Sequence, residues 1–102
     1  MAYDAILDAL GDPTRRRILE ALRAGPMAVG DLALTQTVSR PAVSQHLKTL
    51  EEAGLVTAAP QGNRRLYAIR PEAVAELRAY LDTFWDEVLA AYSAEIHNRF
   101  GN

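Results

Sequence analysis

Apolar residues recur at three- and four-residue spacings along most of the chain, with one short stretch of alternation beyond residue 55. Residues 3–10 place Ile6, Leu7 and Leu10 on one side and predict a short helix. Asp12-Pro13 opens a second helix. Asp caps it, and Pro suits the first helical position because the missing N–H has no partner there anyway. Ile18, Leu19 and Leu22 supply its buried stripe, and Gly25 stops it. A brief helical piece follows at 29–34 around Val29, Leu32 and Ala33, then a polar turn from Thr35 to Val38. Ser39 caps the next helix, Pro41 sits in its first turn, and Val43, Leu47 and Leu50 face the core until Gly54 ends it. Leu55-Val-Thr-Ala58 and Arg65-Leu-Tyr-Ala-Ile69 read as strands, joined by a turn at Pro60-Gln-Gly-Asn63. Pro71 opens a last helix to about His97, roughly 40 Å long at about 1.5 Å per residue. Its apolar residues fill about half the helical wheel, more than one small core needs. The surplus predicts a dimer surface.

The element order is helix, helix, short helix, turn, helix, hairpin, long helix. That order predicts a mainly α fold with a small β-hairpin, a winged helix-turn-helix, as one domain over residues 1–102. Composition agrees with a soluble globular chain: 102 residues, 49% hydrophobic and 24% charged. No apolar run nears the roughly 18 residues of a membrane span, so no membrane partner is expected. The N-terminus lacks the pattern of a signal peptide, which points to the cytoplasm. There are no cysteines, so thiolate metal sites and disulfides are excluded. No histidine lies in a motif with a nucleophile and an acid, and no Gly-rich phosphate loop exists, so an enzyme is not expected. No cofactor is predicted.

The net charge of −2 conceals an asymmetry. Residues 1–70 hold nine Lys/Arg against seven Asp/Glu, whereas residues 71–102 hold two against six. Between Gln36 and Arg70 the count is five basic to two acidic, the sign that phosphate binding needs. With Val43, Leu47 and Leu50 facing the core, Arg40, Pro41, Ser44, Gln45 and Lys48 face out, and acids arrive only at Glu51 and Glu52. Arg reads guanine, Gln reads adenine, and Ser donates or accepts at a base or phosphate. Lys48 suits a phosphate. Ser39 and the first helical turn add free N–H groups. Asn63, Arg64 and Arg65 at the hairpin tip follow the backbone or enter the minor groove. Double-stranded DNA is therefore the expected partner. Arg15, Arg16 and Arg17 read mainly as structural, with one of them pairing with Asp12 or Glu20. His46, beside the buried stripe, reads as a packing residue rather than a metal ligand.

Three motifs in order carry a resemblance: Asp12-Pro-Thr-Arg-Arg-Arg-Ile-Leu19, Val43-Ser-Gln-His-Leu-Lys-Thr-Leu50 and Glu52-Ala-Gly-Leu-Val56. Over residues 4–97 the chain resembles the ArsR/SmtB family of bacterial winged-helix repressors. The resemblance implies a homodimer that blocks a promoter and is released by an effector, a small molecule or a protein. It implies a recognition helix facing the major groove through Arg40, Pro41, Ser44 and Gln45, and a wing tip at Gly62, Asn63, Arg64 and Arg65. It also implies that the terminal helices, about 3–10 and 72–97, form the dimer. On them Ile6, Leu7, Leu77, Leu81, Phe84, Trp85, Val88 and Tyr92 are the expected interface. The family's thiolate sensors carry two cysteines where this chain has Ala28 and Gly30. A second family site, traced from Asp82, meets Phe84, Glu95 and Asn98. No regulatory metal is expected, and the chain is similar to the non-metal, SdpR-like branch. The alternative reading is a winged-helix interaction or dimerisation module without specific DNA binding.

Overall fold

A computed structural model describes residues 2–100. Helix α1 covers Ala2–Leu10 and α2 covers Pro13–Ala21, continued by a single 3-10 turn at Leu22–Ala24. Strand β1 is Met27–Ala28, α3 is Val29–Leu34 and α4 is Arg40–Glu52. Strands β2, Val56–Gln61, and β3, Arg64–Ile69, form the hairpin, and α5 runs from Pro71 to Phe100. The expected order is present, with one addition. The sheet has three antiparallel strands in the order β1-β3-β2, because Met27 pairs with Tyr67 and Ala28 with Leu66. A two-residue strand is too short to show any period in sequence. The hairpin turn is also tighter than its composition suggests. Pro60 and Gln61 belong to β2, paired with Arg65 and Arg64, which leaves Gly62 and Asn63 as the turn. Pro60 is tolerated because β2 is an edge strand with one unpaired side.

Helix starts follow their caps. Asp12 accepts from the backbone N–H of Thr14 at 2.7 Å and of Arg15 at 3.2 Å. Arg15 then reaches backward: its Nε donates to the Ala9 carbonyl at 2.6 Å and its Nη2 to Asp8 at 3.3 Å. The Arg16 guanidinium donates to the Leu10 carbonyl. Those carbonyls end α1 and have no partner within the helix. Arg15 and Arg16 therefore fasten α1 to α2, and Arg15 also stands 3.8 Å from the Asp12 carboxylate.

The core forms where α1, α2, α3, α4 and the base of the hairpin meet. Ile18, Leu32, Val43, Leu47 and Leu50 are all fully buried. Removing such a side chain from water is worth about 1.5–3 kcal/mol. Ile6 corrects one expectation. It is 2% exposed and lies inside this chain's own core, so it supports the surface of α1 rather than lining an interface. Its neighbour Leu7 points outward.

α5 behaves differently from every other element. Only its first turns touch the core, through buried Ala73 and half-buried Leu77. The other expected interface residues of α5, Leu81, Phe84, Trp85, Val88 and Tyr92, are all exposed, as are Leu89 and Ile96. Thirty residues make a rod of roughly 45 Å. The rod explains a molecule measuring 67 × 25 × 24 Å. Phe84 and Trp85 meet edge to face, with ring centroids 6.1 Å apart, and both remain half in solvent. A soluble single chain seldom leaves so long an apolar strip bare.

Leu47→Ala should cost about 2–5 kcal/mol in denaturant unfolding, because the site is enclosed on all sides. Asp12 supplies a pH test. Its carboxyl is held below its ordinary value, first by the Arg15 N–H, then by the Thr14 N–H and the nearby charges of His46 and Arg15. A depressed folded value means that the stabilisation is complete above the ordinary carboxylate range, about pH 4, and is lost as pH falls through the lowered value. Asp12→Ala should therefore melt below wild type at neutral pH. The difference should close in acid; a gap that persists at low pH would contradict this origin.

Candidate nucleic-acid interface

The recognition element is built from α4 outward. Ser39 has extended backbone angles and its hydroxyl accepts from the Ala42 N–H at 3.3 Å, which starts the helix. Pro41 fits the first turn. At the other end Gly54 adopts φ 80°. The Gly54 N–H then donates to Glu51, and the Leu55 N–H to Leu50, both at 3.0 Å. That pair of bonds is a Schellman stop, which requires a left-handed residue at Gly54. Arg70 at the end of β3 locks the junction, donating from Nη1 to the Gly54 carbonyl at 3.0 Å. Both ends of α4 are thus fixed, and its apolar side is wholly enclosed.

Arg40, Pro41, Ser44, Gln45 and Lys48 all lie exposed on the opposite face, with the Ser39 cap exposed at its head. No ion pair among the described side chains engages Arg40 or Lys48. Thr49 donates to the Gln45 backbone carbonyl at 3.3 Å, and the Gln45 side chain is exposed. His46 is half-buried and faces the start of α2, where its charge acts on Asp12.

The wing stands beside the head of α4. Gly62 has φ 64°, and Asn63, Arg64 and Arg65 are exposed. A groove of about 450 Å³ separates the two elements. Gly30, Asp31, Arg40, Asn63, Arg64 and Arg65 line it, together with Ala28 and Val29. The Arg40 guanidinium lies over Gly30, where a side-chain carbon would meet it at 3.6 Å. Ala28 and Gly30 contribute no donor atom to this groove. The structure also reveals partners that sequence reasoning missed. Arg64 is ion-paired with Asp31, and Arg65 lies 3.8 Å from Glu51. The first pair spans 33 positions, so no local signal announces it.

An outward polar ridge on a helix locked from behind, next to a cationic hairpin, defines a winged helix-turn-helix of a DNA-binding transcriptional regulator. The comparisons with known proteins agree. Residues 12–58 match the family model of bacterial regulatory proteins of the arsR family. The HTH-type transcriptional regulator Rv2034 of Mycobacterium tuberculosis is 52% identical over 90 residues, covering 88% of this chain and 84% of that protein. The transcriptional repressor SdpR of Bacillus subtilis is 36% identical over 64 residues, covering 63% of this chain and 71% of that protein. The solution structure of the homodimeric winged helix-turn-helix DNA-binding domain of Mb0332 from Mycobacterium bovis superposes with a TM-score of 0.69. It shares 33% identity and covers 86% of this chain and 82% of that one. The chain belongs to the ArsR family of transcriptional regulators.

The turn geometry carries its own test. Gly62 needs a left-handed conformation that costs an ordinary residue about 1–2 kcal/mol. Asn adopts it more readily than a β-branched residue does. Gly62→Asn should leave the wing paired, while Gly62→Val should speed amide exchange at Arg64 and Arg65. Equal exchange in the two variants would mean that the turn does not depend on Gly62.

Proposed function

We propose that this regulator is a homodimeric repressor that occludes a promoter at an inverted-repeat operator. The observation that carries the reading is the exposed ridge of α4, acid-free from Arg40 to Lys48, whose other face is fully buried. Arg40, Ser44 and Gln45 read base edges in the major groove, and Ser39 and Pro41 set the approach of the helix. Lys48, Arg64 and Arg65 neutralise phosphates, with Gly62 and Asn63 shaping the wing tip. Binding to a promoter places the protein in the cytoplasm.

The bare strip of α5 supplies the dimer. Leu81, Phe84, Trp85, Val88 and Tyr92, with Leu77 and Leu7 alongside, offer a continuous apolar surface to a second copy. The homodimeric Mb0332 domain and the repressor SdpR support this assembly and this mode of action. Twofold symmetry then requires half-sites whose centres lie about one helical turn, roughly 10 bp, apart. An effector would act by changing the spacing of the two recognition helices.

Fluorescence-anisotropy titration against duplex from upstream of the protein's own gene, with scrambled duplex as competitor, tests the reading. The expected result is specific, salt-sensitive binding at two chains per site. Arg40→Ala or Gln45→Ala should cost about 1–3 kcal/mol of discrimination. Lys48→Ala should instead weaken all sequences alike and lower the salt slope by about one. Binding no better than to scrambled duplex would favour a protein-interaction module. Equal losses on both duplexes for Arg40→Ala would remove it from base readout.

Assembly is tested separately. Trp85 lies far from the core, so Trp85→Glu should stay folded. It should sediment as a monomer and lose operator binding, whereas a dimeric Trp85→Glu would move the interface elsewhere.

A further inference from the structure

Both wing-tip arginines already hold a carboxylate in the free chain. Asp31 sits in the first turn of α3 and Glu51 in the last turn of α4. Arg64 and Arg65 sit on the wing, so each pair ties the hairpin to the helix-turn-helix unit. We infer that Asp31 and Glu51 act as an internal substitute for DNA phosphate. They hold Arg64 and Arg65 until DNA arrives, and they lower the sequence-independent part of DNA affinity. This inference rests on the DNA-binding reading above.

The chemistry of the groove supports it. Carboxylate and phosphate compete for the same guanidinium, through the same charge-assisted hydrogen bonds. Side chains in the Asp31–Arg64 pair are 54% and 53% exposed. Exposed ion pairs are weak, so a phosphate can displace the carboxylate. Once displaced, Asp31 remains in the groove that Arg40, Asn63 and Arg64 also line. There it competes with any seated phosphate for the same Arg64 guanidinium. Glu51 acts alike beside Arg65, 3.8 Å away. Neither acid belongs to the ridge of Arg40, Ser44, Gln45 and Lys48. The opposition is therefore to phosphate, whatever the base sequence. Both acids are positioning residues, acting on DNA through the arginines they hold.

A double-mutant cycle on the full chain tests this, with operator and scrambled duplexes titrated across a range of salt. Asp31→Asn should tighten binding to both duplexes by about two- to five-fold at low salt, the range an exposed ion pair spans. The gain should shrink as salt rises. In the Arg64→Ala background the same substitution should gain little, since the held partner is gone. Glu51→Gln with Arg65→Ala should behave in parallel. Glu76→Gln, exposed on α5, reports the effect of net charge alone. A gain equal to that of Glu76→Gln, or one undiminished by Arg64→Ala, would overturn the inference. So would weaker binding by Asp31→Asn, which would make Asp31 a support that presents the wing. Wild type that binds no duplex would sink the DNA-binding reading itself, whereas wild-type binding with an indifferent Asp31→Asn would sink this inference alone.

Discussion

The structure hangs on one stripe of three side chains. Val43, Leu47 and Leu50 are spaced four and three residues apart and are all fully enclosed. Their burial settles more than stability, because it fixes how α4 is rotated about its own axis. A turn of one residue, about 100°, would carry Lys48 into the place of Leu47. An unpaired ammonium there costs far more than the stripe gains. The Ser39 cap and the Gly54 stop prevent α4 from sliding along its axis as well. The ridge from Arg40 to Lys48 is therefore aimed by residues that never leave the core. Readout in such a unit depends on packing chemistry at its back.

α5 reverses that relation. Its N-terminal turns give Ala73 and Leu77 to the core, and the exposed residues Leu81, Phe84, Trp85, Val88, Leu89, Tyr92 and Ile96 lie outside the core cluster. An aromatic strip that does not stabilise its own fold is costly to keep exposed, so its value lies in association. The connection to α4 is short. Arg70 immediately precedes α5 and binds the Gly54 carbonyl at the end of α4, while its backbone N–H donates to Leu55 at 2.9 Å. These two bonds tie the start of α5 directly to the end of α4. In the proposed dimer, the junction is the physical route by which an effector at the interface could alter the spacing of two ridges.

Much of this was readable from residue pattern alone. The helices announced themselves through caps at Asp12 and Ser39 and through apolar spacings that allow few alternatives. The outward ridge followed because a helix with one apolar stripe has only one other side. Three features were out of reach. β1 is two residues long and exists only because β3 offers it a partner. Ile6 was assigned to a surface because helix periodicity shows an apolar face but not what covers it; here α1 turns Ile6 inward and leaves Leu7 outside. The arginines of α2 read mainly as structural, with one paired to Asp12 or Glu20, and Arg15 does stand 3.8 Å from Asp12. What spacing does not show is that Arg15 and Arg16 also staple α1, whose last carbonyls end beside them. Each miss concerns contact between elements, which local spacing does not encode.

The wing shows how far charge counting can mislead. Five basic against two acidic residues between Gln36 and Arg70 suggests a freely cationic surface. In space, Asp31 comes from outside that window and Glu51 from within it, and together they engage both arginines of the wing tip. On the outward ridge of α4, Arg40 and Lys48 engage no acidic partner among the pairs described. In the proposed complex that ridge faces the bases. Among the cations of the α4 ridge and the wing tip, the unpaired charge of the free chain is thus centred on α4. On the inference drawn above, the wing adds its charge to DNA as phosphates displace the two carboxylates.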